Sequence, residues 1–146
     1  MYKANYVKAS LEPMVYLVSH TWNNRFSDGR RRATIEAYSN CDSVLLYNDA
    51  VDKVFLGCKL NQGIGTHFTW EHRDIRYNVL RAVGYYGGKQ VAEDVLILEG
   101  LEQAPNFDRL FDASYIVPTA ADNNVDILKG KEGYTYLYRI NCGGDA

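Results

Sequence analysis

Through most of this chain apolar and polar residues alternate with a period of two, the spacing of a strand with one buried and one wetted face. Met14-Val15-Tyr16-Leu17-Val18, following Pro13, predicts a first strand. Ala33-Thr34-Ile35-Glu36-Ala37-Tyr38 alternates likewise, and Asn40-Cys41-Asp42 turns it into the short apolar run Val44-Leu45-Leu46-Tyr47. Asn48-Asp49 turns the chain again into Lys53-Val54-Phe55-Leu56-Gly57. The glycine-rich stretch Asn61 to Gly65 then leads into His67-Phe68-Thr69-Trp70-Glu71, whose Phe68 and Trp70 share one face and are expected in the core. Tyr77 to Tyr86 and Lys89 to Leu96 flank Gly87-Gly88, and a two-residue glycine loop supplies the positive φ angles of a tight hairpin. Seven short strands between residues 14 and 96, with turn signals every 8 to 12 residues, predict an all-β fold. The expected architecture is an immunoglobulin-like antiparallel β-sandwich of about seven strands, followed by a linker and an extra strand.

The pattern changes after Leu98. Residues 105–131 contain Pro105 and Pro118, a short helical turn at Asn106 to Phe111, and the polar run Ala120 to Asn124, which together read as a linker. Phe107, Leu110, Phe111 and Tyr115 within it are apolar enough to dock on the sandwich. A last alternating run, Tyr134 to Asn141, reads as a strand and stops at Cys142-Gly143-Gly144. A lone strand is not a stable domain. It either pairs with the sandwich or opens a further domain, and the second is expected.

Composition narrows the function classes. At 146 residues the chain is too short for a (β/α)₈ barrel, which needs roughly 250. Sixteen Lys+Arg against 18 Asp+Glu leave a net charge of −2, so neither nucleic acid nor insertion into a membrane is expected. Twelve Tyr against 5 Phe suit half-buried strands and would equally suit a sugar-binding surface. Cys41, Cys58 and Cys142 lack metal-ligand spacing and read as free thiols, a Cys41–Cys58 bridge being open to an exported protein. No apolar signal-peptide core follows Met1.

Residues that could carry chemistry are few. Glu36, Asp42, Glu71, Asp74, Glu93 and Asp94 fall on strand faces or in turns, where a solvated carboxylate is the default. His20, His67 and His72 form no HExxH, and their spacing suits no metal, so neither metal nor cofactor is expected. Gln62-Gly63-Ile64-Gly65-Thr66 lacks the Lys-Ser/Thr of a phosphate loop and precedes a strand, so it is read as a connection. The run Arg30-Arg31-Arg32, with Arg25 nearby, is a basic loop suited to solvent, a neighbouring domain or an acidic ligand. Trp22, Arg25 and Phe26 in that loop are candidates for a sugar-stacking platform or a domain interface. Tyr85 and Tyr86 point to opposite faces beside the hairpin turn, so one is exposed and they form a second candidate contact.

These stretches also carry a resemblance. Pro13 to Trp22 resembles the strand that follows the catalytic barrel in β-galactosidase-like members of glycoside hydrolase family two. Tyr38 to Leu46, with its Ser-Asn-Cys-Asp, Gly63 to Phe68, and Leu80 to Tyr85 resemble the same all-β domain. In that family it is a non-catalytic, immunoglobulin-like accessory domain. Met1 to Tyr6 looks like the exit of the barrel's last helix, and Tyr136 to Gly144 like the opening strand of a malectin-like, carbohydrate-binding domain. The resemblance thus implies residues 1–12 as the exit segment of a catalytic domain, 13–104 as the sandwich, 105–131 as a linker and 132–146 as the start of a malectin-like domain. The family's two catalytic glutamates have no counterpart here, so no catalytic residue is carried over. The implied parent is an exported, modular glycosidase, periplasmic, cell-surface or secreted. Its catalytic barrel and malectin-like domain are the implied partners, with a galactose-containing glycan as a further one.

Overall fold

Seven strands follow one another in a computed structural model that describes residues 2–111. After a short helix, α1 (Tyr2–Tyr6), come β1 (Val15–Val18), β2 (Arg32–Ser39), β3 (Ser43–Tyr47) and β4 (Phe55–Leu60). Then follow β5 (Phe68–Asp74), β6 (Val79–Tyr86), β7 (Lys89–Ile97) and a single 3₁₀ turn at Phe107–Phe111. Every expected strand up to residue 97 is present. The final strand expected at Tyr134 to Asn141, and the linker beyond residue 111, lie outside the described residues.

Two antiparallel sheets result, one in the order β1-β2-β5 and the other β4-β3-β6-β7. Consecutive hairpin strands share a sheet at β3–β4 and β6–β7, whereas β2–β3 and β5–β6 cross between sheets, which makes the all-β sandwich. The inward faces follow from the alternation: Leu17, Ile35, Val44, Leu46, Trp70 and Leu80 are wholly or almost wholly buried in one core. Trp70, as expected, lies inside, and its indole Nε1 donates to the Gly57 carbonyl at 3.1 Å, tying β5 to β4 across the sheets. Burial of a ring this size requires such an acceptor for its N–H. The Gly87–Gly88 turn has φ of 57° and 77°, the left-handed pair that a two-residue hairpin demands.

The motif Ser39-Asn40-Cys41-Asp42 is a junction. Ser39 Oγ donates to the Met14 carbonyl at 2.6 Å and accepts the Cys41 amide at 3.0 Å. Asn40 Nδ2 donates to the carbonyls of Val7 and Glu12, each at 2.9 Å, while its Oδ1 accepts the Met14 amide at 2.8 Å. Cys41 is buried, which raises its thiol pKa, and faces Gly84, where a Cβ would stand 2.6 Å from its sulfur and 2.6 Å from Val15 Cγ2. Asp42 Oδ2 accepts the Gly87 amide at 2.8 Å and so caps the hairpin turn. Cys58, on edge strand β4, is exposed, and both cysteines are free.

At the opposite end of β3 and β6 a second junction forms from Asn48 and Asp49, both fully buried. Asn48 Nδ2 donates to the Tyr77 and Val79 carbonyls at 2.7 Å, and its Oδ1 accepts the Arg76 and Tyr77 amides at 2.8 and 2.9 Å. Asp49 accepts from the Asn106 amide at 3.2 Å and from Asn106 Nδ2 at 2.6 Å. Asn78 Oδ1 takes the Ala104 amide at 2.9 Å. Residues 98–111 are thereby held on the sandwich, with Phe107 and Leu110 packed against Ala50, Val79 and Ala104. This docking includes residues 105–111, the part expected to open the linker.

Candidate functional site

The loop between β1 and β2 carries the first candidate site. It is shaped by Arg25, whose Nε donates to the Trp22 carbonyl at 2.9 Å, Nη1 to Val18 at 2.8 Å and Nη2 to Ser19 at 2.9 Å. Three carbonyls around one guanidinium fix the loop, and partial burial lowers the Arg25 pKa. The same guanidinium lies 5.5 Å from the centre of the Trp22 ring, a cation–π contact that orients the indole. Trp22 itself is 60% exposed. Beside it runs a shallow groove of about 390 Å³ lined by Phe26, Asp28, Arg30 and Arg32 among others.

The arginine run divides its labour. Arg30 Nε pairs with Asp28 at 2.8 Å, and the Arg30 backbone N–H, more than any other group, holds that carboxyl below its usual range. Arg31 Nη2 reaches Glu102 at 3.1 Å, sharing it with Arg76 Nε at 3.1 Å. Arg32 is exposed at the start of β2 and lines the groove.

Phe26 differs from its expected role. It is 2% exposed and sits in the core, because the loop folds back over Gly100, whose Cβ position lies 3.4 Å from the Phe26 carbonyl. An aromatic ring in that place supports the groove from beneath and offers no face for stacking. Arg25 likewise is a positioning residue of the loop. Trp22 alone of the three presents an open aromatic surface.

Tyr85 is half-buried and Tyr86 40% exposed, as the strand alternation predicts. They lie at the Gly87–Gly88 end, whereas Trp22 lies at the end reached by Leu98 and Glu99, the Glu99 amide donating to the Asn23 carbonyl at 2.9 Å. The nine residues of β7 separate these ends by eight steps of roughly 3.3 Å, about 26 Å, so the two candidate surfaces are separate. Among the described residues no group of three His, Cys, Asp or Glu is placed to hold a metal ion.

Several residues that organise the molecule carry no motif. Asp94 Oδ2 accepts the Leu17 amide at 2.6 Å and contacts His20 Nε2 at 2.8 Å, closing the β1–β7 seam. Arg81, buried on β6, pairs with Asp52 and, at 2.8 Å, with Glu93. Asn40, Asn48 and Asp49 read in sequence as turn residues and Asn78 as part of a strand; their partners lie 26 to 57 positions away, and local patterning carries no signal of them.

No family model and no curated protein matches the chain. Among solved structures it is similar to a beta-glycosidase from Bacteroides vulgatus, with 30% identity over 60% of this chain and 10% of that one, at a TM-score of 0.48. It is similar to a beta-glucuronidase from glycoside hydrolase family 2, with 25% identity over 60% of this chain and 8% of that one, TM-score 0.48. It is also similar to a Parabacteroides merdae beta-glucuronidase, with 28% identity over 65% of this chain and 12% of that one, TM-score 0.47. The solved structures it is similar to are thus glycosidases, and the chain spans between 8% and 12% of their length.

Proposed function

We propose that the chain is a non-catalytic accessory domain of a modular, β-galactosidase-like glycoside hydrolase, packing on the catalytic barrel and spacing it from a downstream sugar-binding module. One observation carries this reading: the segments leading into and out of the sandwich are clamped at its opposite ends. Asn40 grips residues 7–14 beside the Gly87–Gly88 turn, and Asp49 with Asn78 grips residues 104–106 at the other end of β6. The eight residues of β6 set the separation at seven steps of roughly 3.3 Å, about 23 Å. A domain that fixes both its connections through side-chain hydrogen bonds transmits position as a rigid strut does. Of the stretches that resemble the glycosidase accessory domain, Ser39-Asn40-Cys41-Asp42 forms the first of these clamps, so the resemblance and the geometry support one reading.

The test is a distance. Spin labels introduced by Lys8→Cys and Gln103→Cys, with Cys58→Ser and Cys142→Ser, are expected to give one narrow distance distribution by pulsed electron resonance. Adding Asn40→Ala broadens it. A broad distribution in the parent double-labelled chain overturns the strut, and turnover of a nitrophenyl galactoside by the purified chain overturns the non-catalytic role. The exposed face of Trp22 supports a second reading, in which the domain itself contacts a galactose-containing glycan. Calorimetric titration with galactans tests it, and an affinity unchanged by Trp22→Ala excludes the platform.

A further inference from the structure

Strand β5 is irregular where it leaves the core. Ile35 pairs with Trp70 and Ala33 with Arg73, so two steps along β2 answer three along β5, and the extra residue forms a bulge. Within it His72 has a φ of 51°, in the left-handed region that side-chain-bearing residues rarely occupy. Bulges re-aim the side chains beside them. Here Arg73 leans across the sandwich to β4, its Nη2 3.7 Å from the Cβ position of Gly57, and its Nε is buried with no hydrogen-bond partner among the described residues. Other arginines among the described residues that leave open solvent have acceptors: Arg25 has three carbonyls and Arg81 two carboxylates. Among the described residues Arg73 is the exception: its Nε is shut away from solvent without an acceptor, so an anion in the groove meets this guanidinium through its Nη groups.

Beside Arg73, along the β4–β5 seam, runs a groove of about 500 Å³. Lys59 from β4 adds a second fixed positive charge to it, and His67 and His72 add two imidazoles. Glu71 and Gln62 line it as well and offer side-chain oxygens. Two cations suit an oxyanion, which the planar guanidinium fork grips through two N–H groups. An acidic acceptor in the same groove suits the opposite chemistry, a hydroxyl that donates. An acidic sugar carries both on neighbouring atoms.

We propose that the β4–β5 seam binds an acidic sugar, whose carboxylate or sulfate ester is held by Arg73 and Lys59 while neighbouring hydroxyls donate to Glu71 and Gln62. The site stands on these residues alone, so it is independent of the strut reading and of the Trp22 surface. The whole chain is titrated with galacturonate, galactose 6-sulfate, galactose and inorganic sulfate at low ionic strength, following backbone amide shifts by NMR. At least one acidic sugar is expected to saturate with shifts centred on residues 59–62 and 71–73, and the pair distinguishes carboxylate from sulfate ester. Galactose and inorganic sulfate are each expected to bind about tenfold more weakly, since each lacks one half of the recognition. Arg73→Gln and Lys59→Gln are each expected to weaken binding about fivefold or more, the loss of one charge-assisted contact. Lys59 is exposed on an edge strand, so its variant reads the charge even where Arg73→Gln fails to fold. Galactose binding as tightly as galacturonate, inorganic sulfate matching both acidic sugars, tighter binding of an oligoglutamate peptide, or no saturable shift at the seam would each overturn the proposal.

Discussion

Asn40 and Gly84 make opposite demands at the same junction. Asn40 must be large enough to reach three backbone groups; Gly84 must be small enough to leave room for Cys41 and Val15. Truncation by Asn40→Ala leaves those groups without their partner and is expected to cost about 2 kcal/mol in urea unfolding, with faster amide exchange in residues 7–14. Gly84→Ala overpacks a site with no slack and is expected to cost roughly 1–3 kcal/mol. Trp22→Ala, by contrast, removes an exposed ring and is expected to stay within about 0.5 kcal/mol. Electrostatics at the surface act more weakly. Glu102 is held below the usual carboxylate range, first by its hydrogen bond from Arg76 and then by that from Arg31. A carboxyl whose pKa is depressed on folding stabilises the fold above its unfolded pKa, and that contribution fades as pH falls through the folded one. Stability measured from pH 7 down to 3 is therefore expected to fall less steeply in Glu102→Gln than in the natural chain, by a small amount because the pair is solvated.

Among the elements, the β6–β7 hairpin was the most legible in the sequence and β5 the least. Gly87-Gly88 between alternating runs specifies its own turn, since both φ angles are positive and glycine alone adopts them without strain. Replacement of Gly88 by Ala is expected to cost about 1 kcal/mol by thermal unfolding, whereas Gly87→Asn, which keeps an Asn-Gly turn, is expected to be nearly neutral. Alternation predicts that β5 ends at Glu71. The strand continues to Asp74 through a bulge that no residue type announces, since His72 occupies the left-handed position where glycine is usual. Its pairing with Ala33 is set by β2, some forty positions earlier in the chain, and not by any local preference.

For the molecule as a whole, the question is where the sandwich stops. Ala104 and Asn106 complete hydrogen bonds begun by Asn78 and Asp49, so the unit takes in the residues up to Phe111. A chain ending at Asp112 is expected to unfold cooperatively with the midpoint of the full chain. One ending at Leu98 leaves the buried Asp49 carboxylate without Asn106, and its midpoint is expected to drop by several degrees or more, since an unpaired buried acceptor costs about 1–3 kcal/mol.

The sequence by itself determined the seven strands, their inward faces, the hairpin and the core position of Trp70, because each depends on periodicity or on a turn whose geometry its own residues dictate. It also marked Trp22 and the arginines around it as candidate contacts. Only the tertiary structure decided that Phe26 lies beneath that surface and that Arg25 is occupied by backbone carbonyls. It alone joined Asn40 to residues 7–14 and Asp49 to Asn106, and brought Lys59 and Arg73 to one seam. The reason is physical. Alternation encodes which side of a strand faces inward, but the partner of a buried polar group is chosen by packing between segments far apart in the chain, and it becomes visible only when the sheets meet.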